Sequence, residues 1–171
     1  MMIAWLLVLL FTCDAFAENS SSPVGRPAPE FKAFHLNGSV FHSTELRGEI
    51  VLLDFWAVWC PPCIEAIPKL NRLQKEFGSK NLKVLGIAVY SGTSGDVRRF
   101  MQEHKMEYMV VLGDEEALEA FGVIGYPTYF LVDPEGKVRH QYVGELQNLY
   151  DLVENDIKLI HSEIKKKEQT P

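Results

Sequence analysis

Cysteine is scarce in this sequence, with three residues in 171. They are Cys13, Cys60 and Cys63. A small exported fold held by a framework of structural disulfides needs several well-spread pairs, so that class is excluded. A zinc knuckle is equally ill-served. Tetrahedral zinc takes four ligands, a second Cys-x-x-Cys is missing, and His35, His42, His104, His140 and His161 stand at no paired spacing. No metal site and no cofactor are expected. Excess positive charge is missing as well: 17 Lys and Arg face 23 Asp and Glu, a formal net charge of −6. That balance argues against a nucleic-acid partner, which demands a basic face. The single basic run, Lys165-Lys166-Lys167, reads as a solvated helix end favoured by the helix dipole. The apolar stretch at residues 3–11 is too short to cross a bilayer as a helix. No internal repeat occurs, and low complexity is confined to Ser20-Ser21-Ser22.

Against these absences, one short segment is dense in chemistry. Trp59-Cys60-Pro61-Pro62-Cys63 follows the apolar run Ile50-Val51-Leu52-Leu53-Asp54-Phe55-Trp56. A strand that ends in Cys-x-x-Cys and turns into a helix sets the first sulfur at the helix N-terminus. Free backbone N–H groups and the dipole there favour thiolate over thiol. Thiolate is the species that attacks a disulfide. Cys60 is therefore expected to be the exposed, attacking thiol, and Cys63, one turn in and more buried, the resolving thiol. Asp54 interrupts the apolar strand six residues before Cys60. Burial raises the proton affinity of a carboxylate, so Asp54 is a candidate proton acceptor for Cys63 and the third candidate catalytic residue.

Hydrophobic periodicity organises the rest. Residues 1–17 have the layout of a secretory leader, an apolar core followed by Ala15-Phe16-Ala17. Cys13 has a second reading, as a lipid-anchored cysteine. Residues 18–26 read as a flexible tether, 27–164 as one domain and 165–171 as a polar tail. Within the domain, Asn37-Gly38 marks a hairpin between residues 31–36 and 40–41. Buried strands are expected at 50–56, 82–89 and 108–112, and helices at 61–77, 94–104 and 114–121. Asp133-Pro134-Glu135-Gly136 joins strands 128–132 and 137–143 in a second hairpin, and a helix over 145–164 closes the chain. Pro68 is expected to kink the first helix. Glu65 and Lys69, at i,i+4, are expected to pair on its surface. The class is α/β: a mixed sheet covered by helices on both faces.

The segment from Asp54 to Cys63, with Gly125-Tyr126-Pro127-Thr128 further on, resembles the thioredoxin superfamily. The N-terminal hairpin, the strand–helix stretch between Gly92 and Leu112 and the leader resemble its exported TlpA/ResA-like branch. The resemblance implies a thioredoxin-like fold with an N-terminal β-hairpin and a central strand–helix insertion. It implies a redox-active Cys60–Cys63 disulfide and a cis Tyr126–Pro127 bond packed against it. Trp59, Pro61, Tyr126 and Pro127 would face the substrate, Tyr126 pairing with an extended segment by strand addition. Two positions depart from the branch: Ala66 stands where a Glu is usual, and Asp54 where Asn often occurs. Proton handling thus looks closer to thioredoxins proper, and a role in cytochrome c maturation loses support.

The function expected is an exported, periplasmic or extracytoplasmic thiol–disulfide oxidoreductase acting on partner-protein disulfides as a reductant, with a membrane electron donor. The alternatives are an oxidant of folding proteins, a redox-inactive or metal-carrying binding module on the same fold, and a peroxiredoxin, whose Thr-x-x-Cys setting Val58-Trp59-Cys60 does not supply.

Overall fold

The computed structural model describes residues 22–169. The expected leader, Cys13, Ala15-Phe16-Ala17 and the start of the expected tether lie outside them. Seven strands form one sheet: β1 (Lys32–His35), β2 (Val40–His42), β3 (Ile50–Trp56), β4 (Leu82–Ala88), β5 (Met109–Leu112), β6 (Thr128–Val132) and β7 (Val138–Val143). Their order across the sheet is β2-β1-β5-β4-β3-β6-β7. β3 runs parallel to β4, and β4 to β5, while every other pairing is antiparallel. The sheet is mixed, as expected.

β3 is the structural axis. It pairs along its length with β4 and along most of it with β6, and every one of its residues is buried. Side chains alternate across a strand, so β3 feeds two cores. Ile50, Leu52 and Trp56 join helices α1 (Pro61–Phe77), α2 (Ser94–Glu103) and α4 (Leu149–Glu168) on one face. Val51, Leu53 and Phe55 join Phe31, Phe41, Phe130 and helix α3 (Glu115–Phe121) on the other.

The helix boundaries follow from local chemistry. α1 opens with prolines at its first two positions, where a missing N–H costs nothing. It continues through Pro68 to Phe77. α2 carries a capping box, with Thr93 and Asp96 each accepting the other's backbone N–H. α3 is capped by Asp114 and stopped by Gly122 in the left-handed region, at φ 64°. α4 differs from expectation at both ends, starting at Leu149 and running on to Glu168. Residues 165–168 of the expected polar tail are therefore helical, with Lys167 paired to Glu135 across the β6–β7 turn. Lys69 also departs from expectation: its ammonium donates to the Leu146 carbonyl at 3.0 Å, tying α1 to the segment before α4. Gly25 and Arg26, expected in the tether, are bound to the β7 edge through Gly25 N–H to Val138 O (2.8 Å) and Val138 N–H to Arg26 O (2.9 Å). Among the described residues, no helix is long and apolar enough to cross a membrane.

Candidate active site

The end of β3 delivers the chain into α1 through Ala57-Val58-Trp59, and Cys60 is the N-cap of the helix. An α-helix begins with backbone N–H groups that have no carbonyl partner within it. Pro61 and Pro62 remove two of them. The first donor left is the N–H of Cys63, and it is shared between the Cys60 carbonyl at 3.1 Å and Cys60 Sγ at 3.3 Å. The Pro-Pro spacer thus leaves the helix start to a donor that Cys60 accepts through both its carbonyl and its sulfur. That donor and the dipole behind it stabilise negative charge on Cys60 once the disulfide is opened. Cys60 and Cys63 are joined in a disulfide.

Cys60 is not the open thiol expected from sequence. It is 3% exposed, no more than Cys63 at 5%. As N-cap, its sulfur is turned inward to the Cys63 N–H, and its bond to Cys63 draws it into the core beside Trp56, Ala57 and Ala66, with Tyr126 packed against that cluster. Access is set by the surrounding rings. Trp59 is 59% exposed. Its indole N–H donates to the Tyr90 carbonyl at 3.0 Å, and its ring meets Tyr126 edge-on at 5.8 Å. The Tyr126–Pro127 bond is cis. Pro127 is buried, and Pro61 is exposed at the first turn of α1. Trp59 and Tyr126, far apart in sequence, thus touch beside the disulfide. Trp56 is core, its ring tilted against Phe100 with centroids 5.1 Å apart.

Asp54 is buried, and the alternation of β3 sends it to the face that carries α1 and Cys63. Burial pushes its carboxyl up to about 7, against a smaller opposing effect of the hydroxyl of Tyr108, which donates to Oδ2 at 3.3 Å. A carboxyl with that affinity exchanges protons near neutrality. Among the described residues, Asp54 Oδ1 and Trp56 Nε1 are the buried side-chain polar atoms with no hydrogen-bond partner. Glu65, one position before Ala66, is exposed on the opposite side of α1.

Three residues at this end of the sheet escaped sequence reasoning. Tyr108 is the hydrogen-bond partner of Asp54, and its one sequence signal was Gly86, a glycine inside a buried strand, which marks a close approach. Tyr90 holds φ 48°, unusual for a non-glycine residue, and Ile124 is 98% exposed just before Gly125-Tyr126-Pro127. By contrast, a hollow of about 490 Å³ at the opposite end of the sheet, between Phe31, Leu46, Phe121 and Pro134, gathers none of the predicted site residues.

Comparison with known proteins follows the same lines. A family model described as the AhpC/TSA family matches residues 24–141. The chain is 35% identical over 132 residues to the thiol-disulfide oxidoreductase ResA of Bacillus subtilis (strain 168), covering 77% of this chain and 73% of that one. It is 28% identical over 150 residues to ResA of Bacillus thuringiensis subsp. konkukian (strain 97-27), covering 82% and 86%. A crystal structure of a Chlorobium tepidum protein assigned as thiol:disulfide interchange protein DsbE superposes with a TM-score of 0.75 at 31% identity, over 82% of this chain and 99% of that one.

Proposed function

This chain belongs to the AhpC/TSA family and is a ResA-like thiol–disulfide oxidoreductase, and from that premise we propose that it reduces disulfides in partner proteins outside the cytoplasm. One observation carries the chemistry: Cys60 Sγ at the start of α1, accepting from the first N–H that the Pro-Pro spacer leaves.

The reduced protein holds Cys60 as a thiolate and Cys63 as a thiol. Cys60 Sγ attacks one sulfur of the substrate disulfide, whose S–S bond breaks, and a substrate thiolate leaves. A mixed disulfide now joins Cys60 to the substrate. Cys63 gives its proton to Asp54 and attacks Cys60 Sγ. The Cys60–Cys63 bond forms, and the second substrate thiolate leaves. Two electrons have moved from the protein to the substrate. Trp59, Pro61, Tyr126 and Pro127 form the face on which an extended substrate segment lies, main chain against Tyr126. A membrane dithiol donor then reduces Cys60–Cys63 again. Export rests on the leader layout of residues 1–17.

An insulin-disulfide reduction assay tests the exchange. Turnover should vanish in Cys60→Ser, and turnover that persists there would defeat the assignment. Cys63→Ser should accumulate the mixed disulfide and so capture the physiological partner. Oxidation of reduced, unfolded substrates faster than reduction of insulin would reverse the proposed direction. Mass spectrometry of the mature N-terminus tests export: a start at Glu18 supports the cleaved leader, and a lipid-modified Cys13 the anchored form.

A further inference from the structure

Asp54 does not sit free in the core. β4 places Gly86 beside it in register, and Gly86 has no side chain to fill the space. A Cβ there would lie 2.9 Å from Trp56 Nε1, 3.1 Å from Val110 Cγ2 and 3.2 Å from Tyr108 Cε2. The ring of Tyr108 uses this gap to cross from the segment before β5, over β4, to the carboxyl on β3. That segment is anchored. Asn71 of α1 donates to Lys105 O at 2.7 Å and accepts from Glu107 N–H at 2.8 Å. The helix that carries Cys63 therefore also sets the backbone that presents Tyr108.

We propose that Tyr108 is a positioning residue for exchange: its hydroxyl, seated over Gly86, holds Asp54 Oδ2 and leaves Oδ1 as the atom that takes the proton of Cys63. This rests on the reading of Asp54 as proton acceptor. The two oxygens are already unlike, since Oδ2 is bonded and Oδ1 is buried without a partner. The titratable groups against the carboxyl are Tyr108 before β5 and Tyr129 opposite on β6, β4 contributes only Gly86, and Cys63 of α1 lies on the same face of the sheet. Burial holds both tyrosines above their ordinary range, so both stay neutral while Asp54 titrates. A neutral Tyr108 hydroxyl donates to Asp54 Oδ2, and donation favours the ionised carboxylate that accepts the proton.

The test is the pH dependence of insulin reduction by the full chain, with the infrared carboxyl band of Asp54 as a second readout. Tyr108→Phe removes the donor. The midpoint of the rise in rate should move up by about one pH unit, with a loss of about fivefold at pH 7, and the protonated carboxyl band should move to higher wavenumber. Asn71→Ala keeps the hydroxyl but frees its segment, and should move the midpoint a smaller way in the same direction. It covers the case in which Tyr108→Phe fails to fold. An unmoved midpoint in the variants that fold, with Asp54→Asn flattening the profile, would overturn the role of Tyr108 and leave Asp54 in place. An unchanged profile in Asp54→Asn would overturn both.

Discussion

The two faces of the sheet are built from the same strands and are chemically unlike. On the α3 face, Phe55, Phe121 and Phe130 meet with ring centroids 5.0 to 5.9 Å apart, and Phe31 adds an edge contact to Phe121 at 5.8 Å. The core there is built of aliphatic and phenylalanine side chains, and the buried polar side chain that β6 sends to it, Thr128, donates to the Gly125 carbonyl at 2.8 Å. On the α1 face, the same β3 presents Asp54 between Leu52 and Trp56 and then supplies the disulfide. Both buried polar atoms without partners lie on this face. Burying an unpaired polar group costs stability. The contrast teaches that the fold separates its tasks: one face holds the sheet together, and the other carries groups whose burial is unfavourable and whose chemistry depends on that burial.

The largest effect should come from the inert face. Phe121→Ala removes a buried ring that touches three others and should cost about 4 to 5 kcal/mol in urea unfolding. The pH midpoint of exchange in the folded protein should not move. A moved midpoint would mean that the two faces are coupled.

The opposite sign is expected on the reactive face. Asp54 is harder to ionise when folded, its carboxyl raised by burial from the ordinary 3.8 to about 7. Below pH 4 both states hold the proton and nothing is lost. Between pH 4 and 7 the unfolded chain releases its proton first, so stability falls as pH rises, and above 7 the full penalty remains. The shift corresponds to about 4 kcal/mol, and the desolvated amide of Asn returns part of it. Asp54→Asn should therefore stabilise the oxidised protein by about 3 kcal/mol at pH 8 and destabilise it by about 1 kcal/mol at pH 4, where the amide cost stands alone. Equal stabilisation at both pH values would show that ionisation is not the cause.

How far these faces were legible depended on sequence distance. β3, the Cys-x-x-Cys and α1 were readable because strand, cap and helix are contiguous. Pro61 and Pro62 mark the helix start, and Gly78 follows its end. The ends of α4 were less so. The apolar stripe shows which side of α4 packs, but Leu146 is spent on the cluster and on binding Lys69 before the helix begins, and the helix continues through the lysines, with Lys167 paired to Glu135. The burial of Cys60 could not be read, since the cluster that encloses it draws on residues from distant elements. Tyr108 and Asp54 are 54 residues apart. Their meeting needs the order β5-β4-β3, and the glycine that permits it signals a gap without naming what fills it.

The smallest effect belongs to the rim of the reactive face. Ile124 is almost wholly exposed, so nothing in the folded protein rewards an apolar side chain there. Ile124→Ser should change unfolding stability by less than about 0.5 kcal/mol. The residue stands immediately before Gly125-Tyr126-Pro127, on the face proposed to receive an extended substrate segment. Apolar contact with that segment should be lost in the variant, lowering kcat/KM for insulin about threefold to fivefold. A small disulfide such as oxidised glutathione reaches the sulfurs without lying across the rim, and its rate should not change. Equal losses for both substrates would place Ile124 in support of the disulfide. A loss for the protein substrate alone makes it part of the recognition surface, and the reactive face then extends past its buried acid to the water-exposed edge.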